Sequence, residues 1–327
     1  MLPNFLCIGA QKCGTTTIWR MLDAHPAIFM ARPRETRFFF DDFQFFGGIQ
    51  SYEITYFSAW HHQPVVGEKC PEYLYVPNVA QRIRERLGPD IKFIVALRNP
   101  AQRAFSHYRH NLAMLRESRS FAEVLETEAA ILAASGWPHI PFGYLGRGLY
   151  ARQLQPYLEL FPKENFLFVS FEGEVLGNQQ QLANRIYTFL GVEQQHLRGL
   201  PFRDGKPALA NLTVKLREGI TPSQGATVEI VRRTVARQGT RSILKWLRGK
   251  KGRITASIAA NQIRNPSAAL IAFSDAFARN SPTFTSLPSN EALSINQYHF
   301  ADDIAQLSAI VPFSVGSWLE STPLSGP

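Results

Sequence analysis

Eight consecutive residues near the start of the chain, Gly9-Ala10-Gln11-Lys12-Cys13-Gly14-Thr15-Thr16, bring together the groups that hold a phosphate. They follow the apolar run Phe5–Ile8, which reads as a buried strand, and lead into a helix over about Thr15–Ala24. A strand, a glycine-flanked loop and a helix start make an anion cradle. The loop amides converge, the helix dipole adds positive potential and Lys12 supplies a full charge. The hydroxyls of Thr15 and Thr16 can donate to phosphate oxygens. The alternative is an ordinary strand-to-helix turn that happens to carry a lysine.

The spacing approaches the phosphate loop of nucleotide hydrolases, G-x-x-x-x-G-K-[ST], with one difference. Lys12 lies two positions before the second glycine, and Thr15 occupies the usual lysine place. A kinase would also want an aspartate after a later strand to help hold magnesium. The best candidate strand, Lys92–Leu97, ends in Arg98 instead, which repels a metal and attracts another phosphate. Arg98-Asn99-Pro100 then opens a helix with proline at its first position, and Ser106 follows on that helix. A guanidinium and a hydroxyl can converge on one phosphate. The expected ligand is therefore a nucleotide bound without metal and carrying an extra phosphate.

The elements that must position these groups alternate along the first 200 residues. Strands are expected at Phe5–Ile8, Val65–Glu68, Lys92–Leu97 and Phe166–Val169. Helices are expected at Thr15–Ala24, from Pro100 to about Arg116, at Phe121–Ala134, Gly146–Phe161 and Gln179–Leu190. That order predicts an α/β fold, a mostly parallel sheet flanked by helices in the manner of phosphate-loop NTPases. From about Pro201 strand signals vanish, and a last helix is expected over Ile295–Ile310. Residues 1–200 thus read as a donor-binding α/β core, and 201–327 as a helical C-terminal extension of the same domain.

The chain has 327 residues, 45% hydrophobic and 19% charged, values of a folded globular protein. No apolar run is long enough to span a bilayer, and Met1-Leu2-Pro3-Asn4 leads straight to the first strand with no room for a secretory leader. Three scattered cysteines offer neither a disulfide framework nor a zinc site. A reduced, cytoplasmic protein is the expectation. The net charge is +9, and nine basic residues with no acidic one lie between Arg232 and Arg253. The remainder is near neutral, which argues against a nucleic-acid partner. The basic segment interleaves Val231, Val235, Leu244 and Leu247, so it reads as a packed helix with a solvated face, with peripheral contact to an anionic membrane or acceptor binding as the alternatives.

Together, the Gly9–Thr16 loop and the Arg98–Ser106 segment resemble the sulfotransferases that use 3′-phosphoadenosine 5′-phosphosulfate (PAPS), and the likeness covers roughly residues 5–192. The resemblance implies that Lys12 contacts the bridging oxygen and sulfuryl group, and that Gly14, Thr15 and Thr16, with Gln11 and Cys13 completing the loop, hold the 5′-phosphate. Arg98 and Ser106 would hold the 3′-phosphate, with Phe171 near the adenine. Transfer to a hydroxyl or amine needs a general base. Phenol and steroid sulfotransferases use a histidine after a strand, and the equivalent Glu68-Lys69-Cys70-Pro71 has none. Glycan sulfotransferases of the heparan type use a glutamate just before an aromatic pair. Arg34-Glu35-Thr36-Arg37-Phe38-Phe39 supplies it, so Glu35 is the expected base, with Lys69 orienting acceptor or sulfate.

Glu35 could instead pair with Arg34 or Arg37, and His25, His61, His62 and His107 are its rivals. Cys13 reads as a small filler. The aromatic runs at 38–40 and 43–46 fit either an acceptor pocket or the core. The acceptor is expected to be a small molecule or, on the heparan-type resemblance, a carbohydrate. A metal-dependent kinase or NTPase, and a non-catalytic protein binding nucleotide and polyanion, are the competing readings.

Overall fold

The computed structural model describes residues 1–113, 116–117, 119–135, 143–197 and 286–320, so the basic segment 232–253 lies outside the described residues. The chain divides into two units. One comprises Met1–Tyr108, Ala122–Phe202 and Phe284–Pro327, and it contains the sheet and the residues of the candidate site; the other falls on Arg109–Phe121 and Arg203–Thr283.

Five strands form one sheet, β1 (Phe5–Gly9), β2 (Ile28–Met30), β3 (Val65–Lys69), β4 (Lys92–Leu97) and β5 (Phe166–Ser170). They are parallel throughout and ordered β2-β3-β1-β4-β5. β1 and β3 are buried along their whole length, as helices on both faces of a parallel sheet require. The strand order reverses beside β1, where its neighbours β3 and β4 lead to opposite edges. Such a switch point opens a crevice at the carboxyl ends of the strands. Gly67 on β3 makes room for its β1 neighbour, since a Cβ there would stand 2.2 Å from the Phe5 ring.

The helices are α1 (Thr15–Asp23), α2 (Asp42–Phe46), α3 (Ile49–Phe57), α4 (Val79–Leu87), α5 (Pro100–Ala113), α6 (Phe121–Ser135), α7 (Tyr150–Leu160) and α8 (Gln179–Leu190), followed by α9 (Ser289–His299) and α10 (Ala301–Leu307). The α/β layering matches the sequence expectation. Gly146–Gly148 forms a separate 3₁₀ turn before α7. The single closing helix expected over Ile295–Ile310 is two, broken at Phe300, whose backbone leaves the helical region at φ −128° and ψ 0°. The break seats a buried Phe300 ring against Gly148, where an added Cβ would lie 2.7 Å from it. β2 and α3 carry no clear sequence signal: β2 has three residues, and α3 mixes aromatic and β-branched types that also suit a strand. α4 does carry one, with Val79, Ala80 and Ile83 on its buried face, and is not among the expected helices.

The described part of the C-terminal extension belongs to the core unit and closes its helix starts. Asn296 accepts a hydrogen bond from Ala101 N at 3.1 Å, and its amide donates to Trp318 O at 2.9 Å. Asp303 accepts from Ala151 N and Arg152 N at 3.0 Å each. These amides at the N-termini of α5 and α7 have no intrahelical partner, and remote side chains satisfy them. Burial pushes the Asp303 carboxyl up, and the backbone donors pull it back.

Candidate active site

β1 ends at Gly9, and the following turn is tied to β4 by Ala10 N donating to Ala96 O at 2.7 Å. Lys12 and Gly14 both take left-handed backbone, φ 72° and 84°, which turns the chain sharply into α1. No side chain caps α1 and no acidic residue stands in its first turn, so nothing there competes with an anion. Gly14 lies against the next element of the site: a Cβ would stand 2.7 Å from Val175 Cγ1 and 3.1 Å from the Phe171 ring. Gly14→Ala adds backbone strain to this overlap and is expected to cost about 2–4 kcal/mol, seen as a lower Tm and weaker donor binding.

Thr15 is buried, Thr16 exposed and Lys12 half-buried. The Gln11 side chain donates from Nε2 to Glu72 Oε1 at 3.1 Å. Glu72 also pairs with Arg147 at 2.7 Å, so this chain of contacts braces the loop. Cys13 is buried with its Sγ 3.7 Å from the Tyr150 hydroxyl. Burial pushes the Cys13 thiol up to about 11, which suits packing and disfavours a thiolate.

Arg98 leaves the end of β4 with its guanidinium stacked 4.5 Å from the Phe171 ring centroid. Its side chain is 17% exposed, and its nearest carboxylate is Glu172, at 3.9 Å. Arg98 Nε is buried and makes no hydrogen bond. Glu172 is committed to the backbone, accepting from Asn99 N at 3.1 Å, and burial pushes its carboxyl up. Tyr150 donates to Arg98 O at 2.9 Å. The structure thus brings Gly14, Phe171 and Arg98 together, residues up to 157 positions apart in the chain (171 − 14). Ser106 lies half-buried on α5.

The second cluster forms where β2 and β3 end. Lys69 and Glu35 make an ion pair in which the lysine side chain is 3% exposed and the glutamate 42%. The alternative of a surface pair with Arg34 or Arg37 is not what the structure shows: Arg34 lies over the Trp19 ring at 5.2 Å. His25 is structural: its Nδ1 accepts from Ala27 N at 3.1 Å and its Nε2 meets Glu193 O at 2.9 Å. His61 and His62 are exposed, and His107 is buried against Tyr144.

The aromatic run divides between the two roles open to it. Phe38, Phe39 and Phe45 are core, while Phe43 and Phe46 are exposed. A cleft of about 830 Å³ lies between α2 and α3, with Phe38, Phe43, Phe46 and Tyr52 in its wall.

Glu172, Tyr150 and the buried hydroxyls around Glu68 escaped sequence reasoning. Each becomes meaningful only through partners far away in the chain. Among the described residues no group of three or more His, Cys, Asp or Glu is gathered as a metal would need. No helix among them is long and apolar enough to cross a membrane.

Comparison with known proteins shows the family. Residues 2–226 match the family described as sulfotransferase domain. The chain is 31% identical over 194 residues to mouse heparan sulfate glucosamine 3-O-sulfotransferase 3A1, covering 59% of this chain and 47% of that protein. It is 29% identical over 222 residues to human bifunctional heparan sulfate N-deacetylase/N-sulfotransferase 2, covering 63% of this chain and 24% of that one. The chain thus spans about half the length of the first and about a quarter of the second. Among solved structures, a sulfotransferase from Alicyclobacillus acidocaldarius superposes with a TM-score of 0.53 at 29% identity, over 68% of this chain and 92% of that one.

Proposed function

The chain belongs to the sulfotransferase domain family, and we propose that it moves a sulfuryl group from PAPS to a hydroxyl or amine of a carbohydrate acceptor, with Glu35 as general base. The observation that carries this reading is the Glu35–Lys69 pair, placed at the same carboxyl edge of the sheet as the phosphate loop and Arg98. The fold alone would host many chemistries. A carboxylate held by a buried ammonium, on the strand next to the one that feeds the loop, supports a transfer that uses both a base and a phosphate leaving group.

The residues present fit such a donor. Gly14 lets the loop pack directly against Val175 and the Phe171 ring, and Arg98 Nε is a buried donor that makes no hydrogen bond. Residues 11–16 would hold the 5′-phosphate, Arg98 with Ser106 the 3′-phosphate, and Phe171, already under the Arg98 guanidinium, would lie near the adenine. When bound, PAPS supplies an activated sulfuryl group whose departure leaves charge on a phosphate. Lys12, within the loop, neutralises that charge. Glu35 Oε accepts the proton from the attacking acceptor group, and Lys69 fixes the carboxylate while its own ammonium stays out of water. Metal plays no part in this scheme.

The core over 1–200 holds the donor in this proposal, and residues 286–320 belong to the same unit. Acceptor choice rests with the surfaces around Glu35, and heparan sulfate sulfotransferases among the relatives favour a glycan. A cytoplasmic enzyme, touching an anionic membrane through 232–253, is the corresponding proposal for location.

Calorimetry with 3′-phosphoadenosine 5′-phosphate, without metal and against ADP, tests the donor site. The bisphosphate is expected to bind tightly and ADP weakly. Arg98→Ala is expected to weaken the bisphosphate about 10- to 100-fold, the loss of a charge-assisted hydrogen bond, and to leave ADP unchanged. Equal binding of the two nucleotides to the wild type would refute the reading and return the kinase or NTPase alternative.

A further inference from the structure

Glu68 stands on β3 one residue before Lys69 and has no role in the scheme above. Its side chain is fully buried. Oε2 accepts hydrogen bonds from Thr36 Oγ1 at 2.7 Å and from the Tyr52 hydroxyl at 2.8 Å. The Tyr73 hydroxyl lies 3.0 Å from the same Thr36 oxygen, and Thr36 Oγ1 also accepts from Phe38 N at 3.2 Å. Oε1 is buried and makes no hydrogen bond. A buried carboxyl with one idle oxygen is costly, and burial pushes its proton affinity up despite the hydroxyl donors. Apolar residues could fill that space at less cost, so the group's value must lie in what it holds.

What it holds is the neighbour of the base. Successive side chains on a strand point to opposite faces, so Glu68 and Lys69 reach away from each other. The segment leaving β2 is matched to them in the same alternation: Glu35 meets Lys69 on one side, and Thr36 meets Glu68 on the other. Two consecutive residues of β3 therefore grip two consecutive residues of the 35–36 segment, with the order of acid and donor inverted. A single ion pair to a 42% exposed carboxylate leaves that carboxylate free to swing. A second, buried attachment one residue away removes that freedom.

We propose that Glu68 is a positioning residue, which clamps Thr36 so that the Glu35 carboxylate stays on Lys69 and in line with the acceptor. This inference rests on the assignment of Glu35 as base. Tyr52 and Tyr73, from α3 and the turn after β3, brace the clamp from two further directions.

The test is Thr36→Val, which removes the hydroxyl and keeps the shape, measured beside Thr36→Ser and Glu35→Gln. Thr36→Val is expected to lower kcat about 10- to 100-fold, the scale set by misplacing a catalytic group. The donor KM and bisphosphate affinity are expected to hold, and Thr36→Ser to recover most of the loss. If Thr36→Val fails to fold, Thr36→Ala is read the same way. Wild-type kcat in the folded valine or alanine variant, with Glu35→Gln inactive, overturns the clamp and leaves the base in place. A loss shared between kcat and donor affinity, or not recovered by serine, makes Thr36 merely structural and also overturns it. An active Glu35→Gln variant removes the base and the clamp together.

Discussion

Glu35→Gln is expected to lower sulfuryl transfer about 10²- to 10⁴-fold while the protein folds normally and still binds 3′-phosphoadenosine 5′-phosphate. The glutamine keeps an oxygen that can accept from Lys69, so the buried ammonium retains a hydrogen-bond partner, and little packing is lost at a side chain that is 42% exposed. What disappears is the capacity to take a proton. Turnover and bisphosphate affinity should therefore separate completely in this one variant. Labelled-sulfate transfer and calorimetry on the same preparation measure the two. Near wild-type turnover would assign the base elsewhere, with the exposed His61 and His62 the first places to look. Lost bisphosphate binding would show instead that the Glu35 region shapes the donor cradle.

Lys12→Ala has the second large effect, on the opposite side of the reaction. Lys12 turns through left-handed backbone in the middle of the loop, which fixes its place between β1 and α1. An ammonium aimed at the departing phosphate is worth most when charge has developed there. The variant is expected to lose about 10²- to 10³-fold in kcat, with the nucleotide product binding only about tenfold more weakly. Bisphosphate affinity falling as much as kcat would make Lys12 a ground-state anchor rather than a stabiliser of the leaving group. The two variants together test whether proton removal and leaving-group stabilisation reside on separate strands' ends, β2–β3 and β1.

The proposed donor half of this site could be read from the sequence because its parts are local. Gly9–Thr16 is a contiguous strand, turn and helix start, and Arg98 and Ser106 lie on one strand end and the helix it feeds. Residue types there are dictated by backbone geometry and phosphate chemistry, both of which leave a mark within a few positions. The alternation of apolar runs and helical stretches likewise announced a parallel α/β sheet. The closing helix was misjudged as one, because a buried phenylalanine in a helical run says nothing about whether its ring must turn to meet Gly148.

The base half was reached through the family resemblance, which named Glu35 and Lys69, while the residues alone left several candidates open. Glu35 had Arg34 and Arg37 beside it, and no local rule distinguishes those partners from a lysine 34 positions away. The choice is made by β2, a three-residue strand too short to be read, which pairs with β3 in the register Ile28↔Val65 and carries the chain alongside it. That pairing brings the chain to the end of β3, and the non-strand residues 31–34 then turn it so that Glu35 meets Lys69 and Thr36 meets Glu68. The sequence by itself determined the α/β frame and the family resemblance, because those signals reside in neighbouring residues. That Glu35 meets Lys69 and Thr36 meets Glu68 only the tertiary structure decided, because these contacts join residues 34 and 32 positions apart.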